Sequence, residues 1–315
     1  MSSTAAALPD PSAAAVVTTT GDAQAAGRDG EHLRRATRAG ALVRVRHGAY
    51  VPAETWAAAD AAERHRIRVL AAARRLHAPV FGHESAAAVW RLPLLGDWPR
   101  DVHVLVALAR GTPSSPGVRR HRVADPVATR CVDGLAVTTV ARTVVDLART
   151  GSFARGLVLA DAALRRHGVR HDDLAREVAA AGTGRGVRAA RRVVAEADAA
   201  AESPGESLSR ARMIELGLPL PVLQREVRDH RGLVGRVDFL WEGLGVVGEF
   251  DGRLKYRAGG VDDRTAAEDR VWAEKRREDR LRAAGLRVVR WTWRDALHPA
   301  RLAGVLASAG IRPGA

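Results

Sequence analysis

One cysteine, Cys131, stands in 315 residues. That excludes a disulfide framework and a cysteine-built zinc site, and a reducing cytoplasm is the expected compartment. Lysine is almost missing too: of 50 Lys and Arg residues only Lys255 and Lys275 are lysine, which leaves 50 − 2 = 48 arginines. Aromatic residues make up only 4 %. No apolar run approaches ~18 residues, so no membrane span is expected. Residues 1–14 are small and polar, without the basic start and apolar stretch of a signal peptide, and are expected to form a disordered tail.

What is present is positive charge. The net charge is +14, which favours an anionic partner, nucleic acid first and a membrane surface second. The plainer account is an arginine-rich solvated surface. Hydrophobic residues reach 46 %, enough to build two or three folded domains.

Residues 15–55 read as a compact basic unit. "TTTGDAQAAG" starts a helix at a Thr18–Thr20 cap and stops at Gly27, and "RDGEHLRRATRAG" starts at Asp29 and stops at Gly40. "ALVRVRHGAYV" alternates and turns at His47-Gly48. Helix, turn, helix and a two-stranded wing describe a winged helix-turn-helix. Arg34, Arg35, Arg38, Arg44 and Arg46 are its candidate DNA contacts, as phosphate and groove binders; the alternative is a basic hairpin docked on its own protein.

Residues 56–201 read as a mixed α/β domain. "DVHVLVAL" is a strand with Val102, Val104 and Val106 on one side, and helices are expected near 153–167, 171–181 and 185–201. His167 and His171 have metal-compatible spacing but lack an evident third ligand. Glu84, Arg142 and Asp146 read as caps or ion pairs. "ESPGE", residues 202–206, reads as a linker. After it the pattern to residue 310 runs α-β-β-β-α-β-α, so the fold class expected for the whole chain is multidomain α/β.

The stretch "VVGEFDGRLKYR" holds the sharpest chemical signal. If the strands on either side of Gly243-Leu244 form a hairpin, Trp241 faces Val246 and Asp238 faces Glu249. Directly opposed residues share a face, and Asp251, two residues on, shares it as well. Converging like charges require a cation. Carboxylate oxygens select a hard divalent ion, Mg²⁺ with Mn²⁺ as a substitute. Lys255 fits such a site as a compact ammonium that polarises water or phosphate; a simple surface pair with Asp251 is the other reading.

"RVDFLW…VVGEFDGRLKY…EDRLRAAGLRVVRWTW" resembles the PD-(D/E)XK nuclease superfamily, most closely its branch related to very-short-patch-repair endonucleases. The resemblance covers about 203–308 and implies a restriction-endonuclease-like αβββαβ core. It implies that Asp238 and Glu249 bind Mg²⁺, that Glu206 on the first helix joins them, and that Gln224 opens the first strand. The family's E-x-K pattern departs here, with Asp251 where lysine is usual and Lys255 in a shifted position. The first two-thirds, through "RATRAGALVRVRHGAYV", "GHESAAAVW" and "DGLAVTTVARTVVDLA", is similar to AbiEi-type antitoxins of type IV toxin–antitoxin systems. That resemblance implies DNA binding and a cognate toxin. Two functions are therefore expected: a DNA-binding protein with a Mg²⁺-dependent endonuclease domain, in which Asp238, Glu249, Asp251 and Lys255 are catalytic and Glu206 is a further metal ligand; or a non-catalytic transcriptional regulator or antitoxin.

Overall fold

Contacts in the computed structural model divide the chain into two units, one of residues 1–151 with 172–191 and the other of 152–171 with 192–315. The structure describes residues 17–27, 29–108, 113–124, 127–252 and 264–314, with 264–271 as backbone only. The tail expected at 1–14 lies outside these residues.

The first unit opens with β1 (Thr18–Thr19), α1 (Thr20–Ala25), α2 (Gly30–Arg38), β2 (Leu42–Arg46) and β3 (Ala49–Pro52). The expected caps are found. Thr19 and Asp22 form a reciprocal capping box, and Asp29 Oδ1 accepts the His32 N–H at 2.8 Å. Leu33 of α2 packs with Ala23, Tyr50 and Leu42. The hairpin gains a strand that alternation did not reveal: two-residue β1 pairs with β3, giving the sheet order β1-β3-β2.

The chain continues through α3 (Ala53–Ala58), α4 (Ala61–Ala73), β4 (Val80–Phe81), α5 (His83–Val89), β5 (Val102–Ala107), β6 (Val118–Val123), β7 (Thr129–Val132), β8 (Leu135–Thr138), α6 (Val140–Thr150) and, after an excursion, α8 (His171–Ala180). The five strands run β6-β5-β4-β8-β7, with β5 and β6 parallel. Val17, Ala49 and Val51 share one core with Ile67, Leu70, Phe81, Val104 and Val137. Packing is therefore continuous across the boundary expected at 55/56. On β5, Val102, His103, Val104 and Leu105 are all buried, so both faces are covered rather than one.

Helix α9 (Val187–Glu196) crosses from the first unit to the second at 191/192. The second unit contains α7 (Phe153–Arg166), α10 (Pro204–Glu215), β9 (Val222–Asp229), β10 (Gly232–Trp241), β11 (Val246–Asp251), α11 (Arg264–Ala283), β12 (Arg287–Thr292), α12 (Trp293–Ala296) and α13 (Pro299–Ser308). The sheet order is β12-β11-β10-β9, antiparallel except for β11 with β12. The element order α-β-β-β-α-β-α expected after residue 202 is present, with short α12 added.

Two expectations need correction. Helix α7 packs against α10, so this segment belongs with the second unit rather than with the sheet of the first. "ESPGE" is not a linker. Ser203 caps α10, Pro204 occupies its first turn, and the Glu206 carboxylate accepts the Ser203 hydroxyl at 2.7 Å and the Glu202 N–H at 2.9 Å. Ser-x-x-Glu with proline just inside is a helix start, not a break.

Candidate functional site

The basic surface of the N-terminal segment is built by α2 and the β2–β3 hairpin. Burying Leu33 turns the opposite side of α2 outward, and Arg34, Arg35 and Arg38 are exposed. Glu31 pairs with Arg34 at 3.1 Å and with Arg38 at 3.0 Å, ion pairs exposed enough to exchange for phosphate. Arg44 is exposed at the hairpin and contacts His47 Nδ1 at 2.8 Å. Arg46 differs from the other four. It is half-buried, and its Nη1 donates to the Gly117 carbonyl at 3.1 Å. Burial, with Arg120 and Arg75 nearby, lowers its pKa. The structure thus brings four of the five arginines to an open surface and turns the fifth inward.

The acidic site forms on the second unit's sheet. The ladder pairs Trp241 with Val246, Leu240 with Val247 and Phe239 with Gly248, which is the expected register and carries Asp238 alongside Glu249 at the next step. Asp238, Glu249 and Asp251 line one cleft of about 460 Å³ with Phe250, Glu274, Arg277 and Arg290. The Phe250 N–H donates to Asp238 Oδ2 at 2.8 Å. Gln224 Nε2 donates to Glu206 Oε2 at 2.8 Å and to Asp238 Oδ1 at 3.3 Å. Gln224 makes this bridge from a left-handed backbone, φ +51°, a conformation that non-glycine residues hold where the surroundings enforce it. Glu206 itself is buried at the start of α10.

Burial pushes Glu249 up to about 7, opposed by the Arg277 guanidinium. Burial also raises Asp238; the Phe250 N–H opposes this and the Glu206 charge adds to it. Arg277, on α11, donates to Glu249 Oε1 at 2.8 Å and to the Arg236 carbonyl at 2.7 Å. Sequence reasoning missed it. Its signal was the four-residue spacing to buried Leu281, which places both on the helix face toward the sheet. The donor set of Asp238 and Glu249 fits a hard divalent ion in kind, since both are carboxylates whose charge burial disfavours. At present Arg277 supplies the positive charge beside Glu249. Lys255 lies outside the described residues. Exposed Asp251 stands at the mouth of the cleft.

Elsewhere, Arg142 and Asp146 form an ion pair at 2.9 Å, and Glu84 Oε2 lies 2.9 Å from His103 Nδ1. Among the described residues, neither His167 and His171 nor Asp238, Glu249, Asp251 and Glu206 form part of a set of three metal-ligating side chains whose ligand atoms all lie within 4.8 Å of one another.

Residues 17–53 match the family model "Transcriptional regulator, AbiEi antitoxin". This antitoxin-like segment is the one that exposes Arg34, Arg35, Arg38 and Arg44. Two curated relatives, the uncharacterized proteins MT2308 and Rv2248 of Mycobacterium tuberculosis, are each 38 % identical over 128 residues, 41 % of this chain and 47 % of the relative. The chain therefore spans about half the length of the curated relatives it matches. Among solved structures, the crystal structure of the RV2827C protein from Mycobacterium tuberculosis covers 73 % of this chain and 93 % of its own, at 19 % identity and a TM-score of 0.38. No helix among the described residues is long and apolar enough to cross a membrane.

Proposed function

We propose that the chain is a DNA-binding transcriptional regulator of the antitoxin type. The observation that carries this reading is the coincidence of the antitoxin-family match over 17–53 with the exposed arginines of α2 and the hairpin. In this reading the segment acts as a winged helix-turn-helix. Phosphate contacts from Arg34, Arg35, Arg38 and Arg44 supply affinity and register, and a net charge of +14 steers the encounter. A cognate toxin is the proposed protein partner. The test is fluorescence anisotropy with DNA from immediately upstream of the chain's own coding sequence, against an unrelated fragment of equal length. Selective binding that falls steeply with salt supports the proposal; equal, weak binding to both fragments removes it.

A second reading rests on a separate observation, the register that sets Asp238 beside Glu249 in one cleft. In it the second unit is a PD-(D/E)XK-like domain. Asp238 and Glu249 would hold Mg²⁺, with Asp251 at the mouth and Glu206 acting through Gln224. A bound Mg²⁺ supplies water activation and neutralisation of phosphate charge. The chain's own part is to orient Asp238 through Phe250 and Gln224, and to release Glu249 from Arg277 before a cation binds. Nicking of supercoiled plasmid with Mg²⁺ or Mn²⁺ by the wild type, abolished in Asp238→Ala and Glu249→Ala and impaired in Lys255→Arg, is expected. Nicking equal to that of Glu249→Ala under both metals would leave the regulator reading alone.

A further inference from the structure

Three histidines that neither the antitoxin-like segment nor the acidic cleft employs meet in the first unit. His83 opens α5 directly after β4, His103 lies on β5 and His121 on β6. One ring nitrogen from each lies within 4.8 Å of the other two, and among the described residues this is the one set of three metal-ligating side chains so gathered. His121 Nε2 is 3.3 Å from His103 Nδ1. The rings of His83 and His121 stack with centroids 3.8 Å apart, and the His103 centroid is 5.0 Å from that of His121.

The backbone around the cluster is tightly specified. The Gly82 N–H donates to the His103 carbonyl at 3.2 Å, and a Cβ at Gly82 would fall 2.9 Å from the Leu105 side chain. His83 has φ +49°, a left-handed conformation that a β-carbon disfavours, that histidine adopts more readily than most residues, and that persists where the surroundings enforce it. His103 is fixed twice. Its N–H donates to Ser85 Oγ at 2.8 Å, and its Nδ1 lies 2.9 Å from Glu84 Oε2. The Glu84 carboxylate thereby fixes the orientation of the ring, and the tautomer decides which ring nitrogen carries the lone pair. A carboxylate behind an imidazole is the arrangement that orients metal-bound histidines. Three imidazoles could also simply fill space, but aliphatic side chains would do so without polar atoms to satisfy, and without the strained backbone at His83.

His83 and His121 also face a cavity of about 630 Å³, walled by Arg119, Arg122, Arg142 and Arg185. The acid in that wall, Asp146, is already engaged by Arg142 at 2.9 Å and faces Arg149 at 3.8 Å. We propose that His83, His103 and His121 bind one divalent transition-metal ion of the zinc class, with a further coordination position open to the arginine-lined cavity and filled by a phosphate-type anion. Imidazole ligands select zinc, cobalt, nickel or copper over magnesium and calcium. Three histidines with an open position are the form of a solvent-accessible zinc centre. The arginines oppose a bare cation and favour one that carries an anion, so the metal and the anion bind cooperatively.

The test is a cobalt(II) titration of the full metal-free chain, read by visible absorption. Expected are one equivalent bound with an intense low-symmetry spectrum, displacement by zinc but not by magnesium, and tighter binding with a shifted band when inorganic phosphate is added. His83→Ala and His121→Ala should each abolish the band. Glu84→Gln should weaken binding roughly 10–100-fold, and His230→Ala, an exposed control, should not. Circular dichroism of each variant separates failed ligation from a failed fold, and the wild-type titration stands without any variant. A wild-type chain that takes up neither cobalt nor zinc in equilibrium dialysis overturns the site. So does a band that survives in folded His83→Ala and His121→Ala. A band indifferent to phosphate overturns the open, anion-filled position.

Discussion

A Cβ built on Gly205 would fall 1.9 Å from Cε1 of Phe250. The second residue of α10 is thus pressed against the strand that carries Glu249, with the Phe250 ring braced edge-on by Trp293 at 5.3 Å. This close approach seats Glu206, the next residue, within reach of Gln224.

Gly205→Ala is therefore expected to destabilise the second unit by about 1–3 kcal/mol, since the added methyl must displace a braced ring. Urea denaturation measures it. An unchanged midpoint would mean that the ring swings aside freely and that α10 is not held by this approach.

Asp161 and Arg210 make a buried pair within the same unit. Arg210 Nη2 lies 3.1 Å from Asp161 Oδ1 and 3.2 Å from Oδ2, and Asp161 also accepts the Asp198 N–H at 2.8 Å. Asp161→Ala strands a buried guanidinium and should cost about 3–5 kcal/mol. The double variant Asp161→Ala/Arg210→Met should recover part of that stability. A double variant no more stable than the single would show that Asp161 matters through its hydrogen bond to Asp198 instead.

Much of this architecture was legible because local chemistry was consistent. Asp29 and Gly40 bracket α2 as cap and stop, and alternation on either side of Gly243-Leu244 set the hairpin register that joins Asp238 to Glu249. Other elements lacked a local signal. Strand β6 reads "VRRHRV", whose arginines and histidine hide an apolar period, and β4 is two residues long. "SPGE" carries the proline and glycine of a linker, although serine and glutamate three apart make it a helix start. His83, His103 and His121 are spaced too widely for any motif and meet only through sheet order. Arg277 sits in a run of like residues, and only the helical phase set by Leu281 distinguishes it.

The arginine surface makes a graded prediction. Replacing Arg34, Arg35 and Arg38 together by alanine should weaken DNA binding and flatten its log–log salt dependence by about 0.9 for each phosphate no longer neutralised. Arg46→Ala should leave that slope nearly unchanged and lower stability instead, because Arg46 is turned toward the Gly117 carbonyl. Salt titrations by anisotropy, with thermal melts alongside, separate the two effects. A slope more sensitive to Arg46 than to the α2 arginines would relocate the DNA-binding surface.

Glu249 makes a prediction about pH. Burial raises it from an ordinary 4.5 to about 7, so between those values the folded chain binds a proton that the unfolded chain has released. Stability from this group is fully present below pH 4.5 and is lost as pH rises through about 7. The loss is on the order of 3 kcal/mol at most, at about 1.4 kcal/mol per pH unit. Glu249→Gln keeps the shape and removes the ionisation. Its stability relative to wild type should therefore increase steadily from pH 4.5 to 7 and level off near pH 8. Asp238, also raised by burial, titrates in both proteins and cancels to first order in the difference. Denaturant titrations at closely spaced pH values supply the curve. A difference that stays constant across this range would mean that Arg277 already neutralises the Glu249 charge in full, and that the cleft does not need a further cation.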